Sequence, residues 1–366
     1  MMLISLFWSC SPINKNECQM LDESEYTLVK KNETVTFNLD SLSSPNIRYS
    51  EFFTADDQLF FTFLNPHNNT VYYYDYSSKE LVKKVALESD RKLSGYSILG
   101  FSRIISYEYW NEMLVLHDSS GAPLKMLKVP SVEDSYYAFP SNRSPVKYSD
   151  GAVYLAGGNL TLAKIAGNAH PVARIDTNLQ KFEYTYSFPD IYENTFFGGN
   201  HYNMDISYDY NPKLKSFVFS FPASHSIEVT SDMVNKKIYC AGSRYIDQIP
   251  PFDKTDIDDS FEFSTENGFY YRIMYDQYRD VYYRFCLHPS NLVEGINRYT
   301  RDLSIVILNN SFEIVGEKFM KNGEDFKMNG LSSMAIAPEG LLIRKDLGVT
   351  NEDQLIFEIY ELKLNQ

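Results

Sequence analysis

The sequence is short of the features that announce a known chemistry. It has only four cysteines, none in a CxxC pair and none beside a histidine at metal-ligand spacing, so nothing marks a zinc site or a disulfide scaffold. Its 17 glycines form no Walker-type phosphate loop, and GxSxG, HExxH and calcium-loop patterns are also missing. No cofactor is therefore expected. Positive charge is scarce: 34 Lys and Arg stand against 48 Asp and Glu, for a formal net charge of −14. Such a surface repels a phosphate polyanion, which argues against nucleic acid as a partner. It disfavours anionic headgroups as well, leaving a covalent lipid as the route to a membrane. No apolar run is long enough to span a bilayer, and no long stretch repeats at helical spacing.

Aromatic residues are abundant, with 29 Tyr and 25 Phe, and these side chains suit a pleated, half-buried surface. They sit in a recurring local phrase: an apolar strand, an Asp or Asn, a few small polar residues, then a second strand. The phrase occurs at Val71–Asp75, Met113–Asp118, Ala173–Asp176 and Ile305–Asn309, with Asp232 closing a looser copy. An Asp or Asn there can accept a backbone N–H about two residues on and fix the turn. Two further strand runs precede most copies, such as Arg48–Phe53 and Leu59–Phe63, or Tyr270–Tyr275 and Val281–Phe285. Four strands per unit of about 50 residues is the pattern of a propeller blade.

The chain finishes on a third-strand pattern, Leu355–Tyr360, with no fourth strand after it, while Thr34–Leu39 is an unpaired strand near the start. The expectation is an all-β, six-bladed β-propeller closed by that N-terminal strand, a closure that removes aggregation-prone sheet edges. Blades are expected near 46–90, 95–130, 136–190, 200–245, 266–320 and 328–362, within a domain spanning 26–366. A two-sheet sandwich is the alternative, but it would not explain the repeated unit. Residues 246–265 read as a long loop and 288–302 as the place for one short helix. Cys240 and Cys286 lie on strand-like runs and read as small buried hydrophobes, with a disulfide between them as the alternative.

Residues 1–10 resemble a bacterial lipoprotein signal: the short apolar run Leu3–Trp8, small Ser9, then Cys10 as the lipid-bearing residue, with 11–25 as a polar linker. No Lys or Arg precedes the apolar run, so a start further upstream is expected. This start, the six irregular blades and the run Tyr275-Asp276-Gln277-Tyr278-Arg279-Asp280-Val281-Tyr282-Tyr283-Arg284 together resemble an uncharacterised propeller family of Bacteroidota envelope lipoproteins, domain of unknown function 4221. The resemblance implies a six-bladed fold and a lipid-anchored place in the cell envelope. It implies no catalytic residue, and Cys10 is the one position it carries over.

Two constellations are candidates for ligand contact. Arg272, Asp276, Arg279 and Arg284 cluster on one predicted hairpin, where Arg pairs could clamp a carboxylate, a sulfate or a uronic sugar; as plain structure, the Asp caps the turn and the Arg side chains pair with it. His201, Tyr202 and Asp205 follow Gly198-Gly199-Asn200 at the start of a blade, a position expected to face a central funnel. His201 with Asp205 could be a base and its orienter or half of a metal site, though a polar loop histidine is the plainer reading. The functional expectation is a binding or scaffolding module for a glycan, a peptide or another envelope protein, with no reaction assigned. The rival is a propeller hydrolase or lyase with paired carboxylates in the funnel, and a third reading is a sensor with a flat apolar rim.

Overall fold

The computed structural model describes residues 24–365 apart from 46, 48, 133–135, 158–168, 194, 198–204, 253–258, 291–300, 328–330, 332 and 346–351. Six four-stranded antiparallel sheets form the expected propeller. Blade 1 comprises Tyr49–Ala55, Gln58–Asn65, Thr70–Asp75 and Leu81–Ala86; blade 2, Leu93–Gly100, Arg103–Glu108, Met113–His117 and Pro123–Lys128. Blade 3 comprises Lys147–Ser149, Ala152–Ala156, Val172–Asp176 and Phe182–Thr185; blade 4, Ser207–Asn211, Ser216–Ser220, Ser226–Thr230 and Lys237–Cys240. Blade 5 comprises Phe269–Asp276, Val281–Leu287, Leu303–Leu308 and Ile314–Met320. Blade 6 takes Met334–Ala337, Gly340–Arg344 and Gln354–Leu364, and its fourth strand is Tyr26–Asn38 from the other end of the chain.

Burial follows position in the blade. The middle strands pack on both faces against neighbouring blades, so Phe60–Asn65 and Thr70–Asp75 are buried without a break. The outermost strand Leu81–Ala86 is partly open, and of its six residues only Val85 is fully buried. This explains why the sequence shows continuous apolar runs followed by mixed ones. The first strand of each blade lines the axis.

The turn chemistry matches expectation. Asp118, Asp176, Asn309 and Asp232 each accept, through Oδ1, the N–H two residues on, at 2.8, 2.8, 2.9 and 2.9 Å. Asp75 does the same one residue further along, from Ser78 at 2.6 Å. These bonds hold the reversal between third and fourth strands in five blades.

Blade 6 has no such turn because its third and fourth strands come from opposite ends of the chain. Their register runs from Tyr26↔Leu364 to Asn38↔Gln354, with a bulge between Lys30 and Thr34. The closing strand is thus longer than Thr34–Leu39. Its Phe37 is fully buried between blades 6 and 1, with ring centroids 4.6 Å from Phe61 and 6.3 Å from Phe357. Its other end presses on blade 5: a Cβ on Gly316 would sit 2.1 Å from the Tyr26 carbonyl oxygen. The N-terminal strand therefore contacts three blades.

Two smaller expectations need correction. The stretch 246–265 is not all loop, since a helix, Ser260–Asn267, forms at its end; the Gly268 N–H closes it on the Ser264 carbonyl. Most of 288–302 lies outside the described residues. Cys286 is a free, fully buried thiol as expected. Cys240, half-exposed on an outer strand, is disulfide-bonded, and not to Cys286, which is free.

Because ring closure rests on one terminal strand, a chain beginning at residue 40 should lose its cooperative transition in thermal or urea unfolding followed by circular dichroism. A normal two-state melt of that truncation would require another topology.

Candidate functional site

The first strands of all six blades surround a cavity of about 340 Å³ on the propeller axis. Its wall is evenly mixed polar and apolar, with Phe52, Tyr148, Tyr208, Tyr210 and Tyr275 among its residues. Four charged side chains interrupt it: Glu51 from blade 1, Lys147 from blade 3, Asp209 from blade 4 and Arg272 from blade 5. A smaller void of about 40 Å³ continues along the axis toward the blade starts, and Glu51 and Arg272 border both spaces.

The channel opens at the face formed by the hairpin turns. Pro212 and Gln277, which lie on those turns, are exposed lining residues, and Tyr148 is 37% exposed. At the other end the segment 140–145 crosses the axis. Asn142 donates to the Leu331 carbonyl of the blade 6 entry at 3.0 Å, and the Pro140 carbonyl accepts the Tyr49 hydroxyl of blade 1 at 3.3 Å. Arg143 pairs with buried Asp205 before blade 4 at 2.5 Å, and its guanidinium lies 5.1 Å from the Tyr271 ring of blade 5. Among the described residues, this crossing segment separates the channel from the blade-start face.

Two of the four charges also hold neighbouring blades together. Inner strands splay apart around the axis, so their backbone donors need side-chain partners. Glu51 Oε1 accepts the Ile98 N–H of blade 2 at 2.6 Å. Asp209 Oδ2 accepts the Tyr275 N–H of blade 5 at 3.0 Å, and the Ser207 hydroxyl oxygen accepts the Ile273 N–H at 3.0 Å. Asp209 Oδ1 takes the Tyr210 N–H and pairs with Lys147 Nζ, each at 2.8 Å. Both oxygens of Asp209 are thereby occupied.

Glu51 and Arg272 are less fully matched. Glu51 is enclosed except where it meets the lumen, and this desolvation pushes its carboxyl up to about 7 against the pull of the Ile98 N–H, the Lys147 charge and the Ser97 hydroxyl. Arg272 follows a β-bulge, where the register with the next strand slips between Tyr270 and Arg272; bulges of this kind re-aim a side chain. Its protein hydrogen bond is a long one, 3.5 Å from Nη1 to the Met334 carbonyl. Burial lowers its guanidinium to about 10, so it remains a cation.

A family profile, "Domain of unknown function (DUF4221)", matches residues 25–319. The chain belongs to this family. A solved DUF4221 member from Bacteroides vulgatus is 21% identical, with a TM-score of 0.77 over 93% of this chain and 99% of its own. A presumed exported protein from Bacteroides fragilis is 9% identical, with a TM-score of 0.55 over 94% and 98%. At these identities the likeness shows the fold alone. No curated protein matches the chain.

In this DUF4221 propeller the residues expected from sequence scatter. Cys10, His201 and Tyr202 lie outside the described residues. Asp205 is buried and pairs with Arg143. Asp276 is fully buried and caps its turn, accepting the Tyr278 and Arg279 N–H groups at 3.0 and 3.1 Å, the Arg279 guanidinium at 3.0 Å and the Tyr283 hydroxyl at 3.1 Å. Arg279 then reaches the Ala337 and Pro338 carbonyls of blade 6. Arg284 points away from the axis, fully buried between blades 5 and 4. It donates to Ser220 Oγ and to five carbonyls, including Ala241 at 2.8 Å and Ser224 at 2.7 Å, and lies 3.6 Å from the Tyr270 ring centroid. Of the expected cluster, Arg272 alone lines the channel.

The sequence reasoning missed Glu51, Lys147 and Asp209. Their signal is a single charge within the first strand of a blade: Ser50-Glu51-Phe52, Val146-Lys147-Tyr148, Tyr208-Asp209-Tyr210, with Tyr271-Arg272-Ile273 as the fourth. Among the described residues no group of three or more His, Cys, Asp or Glu is placed to hold a metal ion.

Replacing Arg284 with Met should lower unfolding stability by about 3–5 kcal/mol, because it leaves buried carbonyls without a donor; chemical denaturation measures this. Glu51→Gln should behave in the opposite sense. A raised carboxyl binds its proton more tightly folded than unfolded, so wild-type stability falls as pH rises from about 4.5 to about 7. The variant should match wild type near pH 4 and exceed it at pH 8 by about 1–3 kcal/mol.

Proposed function

We propose that this protein is an extracytoplasmic binding module that holds a small polar ligand, of the glycan class, in its axial channel. The observation that carries the reading is the channel itself: every blade contributes wall, and charged groups from four blades converge on it. Its volume of about 340 Å³ falls at the lower end of the ~300–1,000 Å³ range of ligand pockets, which suits one sugar unit or the end of a chain. Tyr148 and Tyr210 offer ring faces near the mouth, and Gln277 and Lys147 offer donors.

The lipoprotein-like start ending at Cys10 supports an envelope location with a lipid anchor. That the structurally similar Bacteroides fragilis protein is a presumed exported one agrees with this. A glycosidase reading would draw on Glu51 as a proton donor near neutral pH. It needs a second available carboxylate, and Asp209, the other acid among the described lining residues, has both oxygens engaged. Binding without turnover is the better-supported reading.

Gln277→Trp, at an exposed turn on the rim, narrows the mouth without entering the core. Wild-type protein lacking residues 1–9 should retain ligands on a glycan array, and this variant should lose them while melting at the same temperature. Retention by both would remove the channel as the site, and release of a cleaved product would favour the enzyme. For the anchor, Cys10→Ala should shift the full-length protein from the membrane to the soluble fraction of cells; unchanged membrane association would count against lipidation.

A further inference from the structure

Two acids and two bases line the described channel, and one of each is joined in an ion pair. Lys147 and Asp209 cancel at 2.8 Å. Arg272 has no carboxylate in ion-pair contact among the described residues, and its hydrogen bond to the Met334 carbonyl is marginal. A guanidinium held in a desolvated wall, with the Asp209 charge near but not in contact, costs free energy that an anion of fitting shape would recover. Its planar fork pairs best with a carboxylate, through two parallel bonds. A β-bulge at Tyr271 immediately precedes this side chain, and bulges re-aim the side chains beside them.

The second element is Glu51, which shares the neck with Arg272. The groups facing it are the Ile98 N–H and Ser97 hydroxyl of blade 2, Lys147 of blade 3, and the buried phenols of Tyr73 and Tyr96. Asp209 stands on the inner strand of blade 4 and uncharged Met334 on that of blade 6. Protonated, Glu51 is neutral and can donate a hydrogen bond, and the channel carries a net charge of plus one from Arg272. Ionised, it cancels that charge and repels an incoming anion.

Resting on the binding reading above, we propose that the ligand is a small hydroxylated carboxylate of the uronic-acid class, clamped by Arg272 and met by the Glu51 carboxyl as hydrogen donor. Glu51 thereby makes capture dependent on pH. Its carboxyl is held near 7 by burial, so binding is strong below neutrality and weakens above it. The ligand's own carboxylate stays ionised throughout, since ordinary carboxylic acids titrate near pH 4.

Isothermal titration of the protein lacking only the signal residues 1–9, which keeps all four cysteines, with glucuronic acid and with glucose, at pH 5.5 and 8, tests this. Glucuronate should bind at least tenfold more tightly than glucose at pH 5.5, and about tenfold more weakly at pH 8 than at pH 5.5. Arg272→Gln should abolish the preference for the acid. Glu51→Gln, uncharged at both values, should bind glucuronate with one affinity at both. Each variant is first checked for a wild-type melt at pH 5.5; should Arg272→Gln fail to fold, Arg272→Lys, which keeps the charge but not the fork, should lose most of the preference. Equal binding of glucose and glucuronate would overturn the acidic class while leaving the channel as the site. Preference for the acid that survives Gln277→Trp would place the anion elsewhere and overturn the channel reading with it. No binding of either sugar, or a pH dependence retained in Glu51→Gln, would overturn the assignment of ligand or of gate respectively.

Discussion

The architecture depends on the pairing of Tyr26–Asn38 with Gln354–Leu364. Five blades close their outer edges locally, through a turn fixed by an Asp or Asn side chain. The sixth has no local solution, and the chain solves the problem with its two ends. The strand spans the seam: Phe37 enters the aromatic stack between blades 6 and 1, and Tyr26 lies against Gly316 of blade 5. Without it, blade 6 would be a three-stranded sheet with an open edge and the seam would lose its central ring.

Within the ring, cohesion between blades comes from two chemistries. Away from the axis it is apolar packing, with Phe and Tyr rings interleaved between sheets. Near the axis the strands diverge, apolar contact thins, and side-chain acceptors bridge to backbone donors on the next blade, as at Glu51, Ser207 and Asp209. Arg284 serves the same end deeper in the seam between blades 4 and 5, with one guanidinium satisfying several carbonyls at once. The channel is therefore lined by residues that already have structural work. Glu51 and Arg272 stand out because that work leaves each with unspent capacity toward the lumen.

The ring was readable in the sequence because its determinants are local. An Asx turn needs one residue type at one spacing, and Asp75, Asp118, Asp176, Asp232 and Asn309 announce it directly. Alternation of Val35, Phe37 and Leu39 likewise marked the closing strand. The site was less readable because its determinants are not local. Glu51, Lys147, Asp209 and Arg272 are brought together only by closure, and nothing in their immediate neighbours says which way each side chain turns. Arg272 and Arg284 look equivalent on their hairpin, yet Arg272, beside the bulge at Tyr271, lines the axis while the other is swallowed between blades. The pairing of Asp205 with Arg143 joins residues 62 positions apart, which no local pattern announces. The segment 140–145, which gives the channel its floor, carries no motif that distinguishes it from an ordinary Pro-containing loop.

Closure by the terminal strands has a consequence for biogenesis. In a chain made and exported from its N-terminus, the strand that completes the wheel emerges first and finds its partner last, after every blade has been synthesised. Until then the backbone groups of Tyr26–Asn38 have water in place of the Gln354–Leu364 strand they pair with in the closed ring. The assembly of this propeller is thus a search that begins with its final step already waiting.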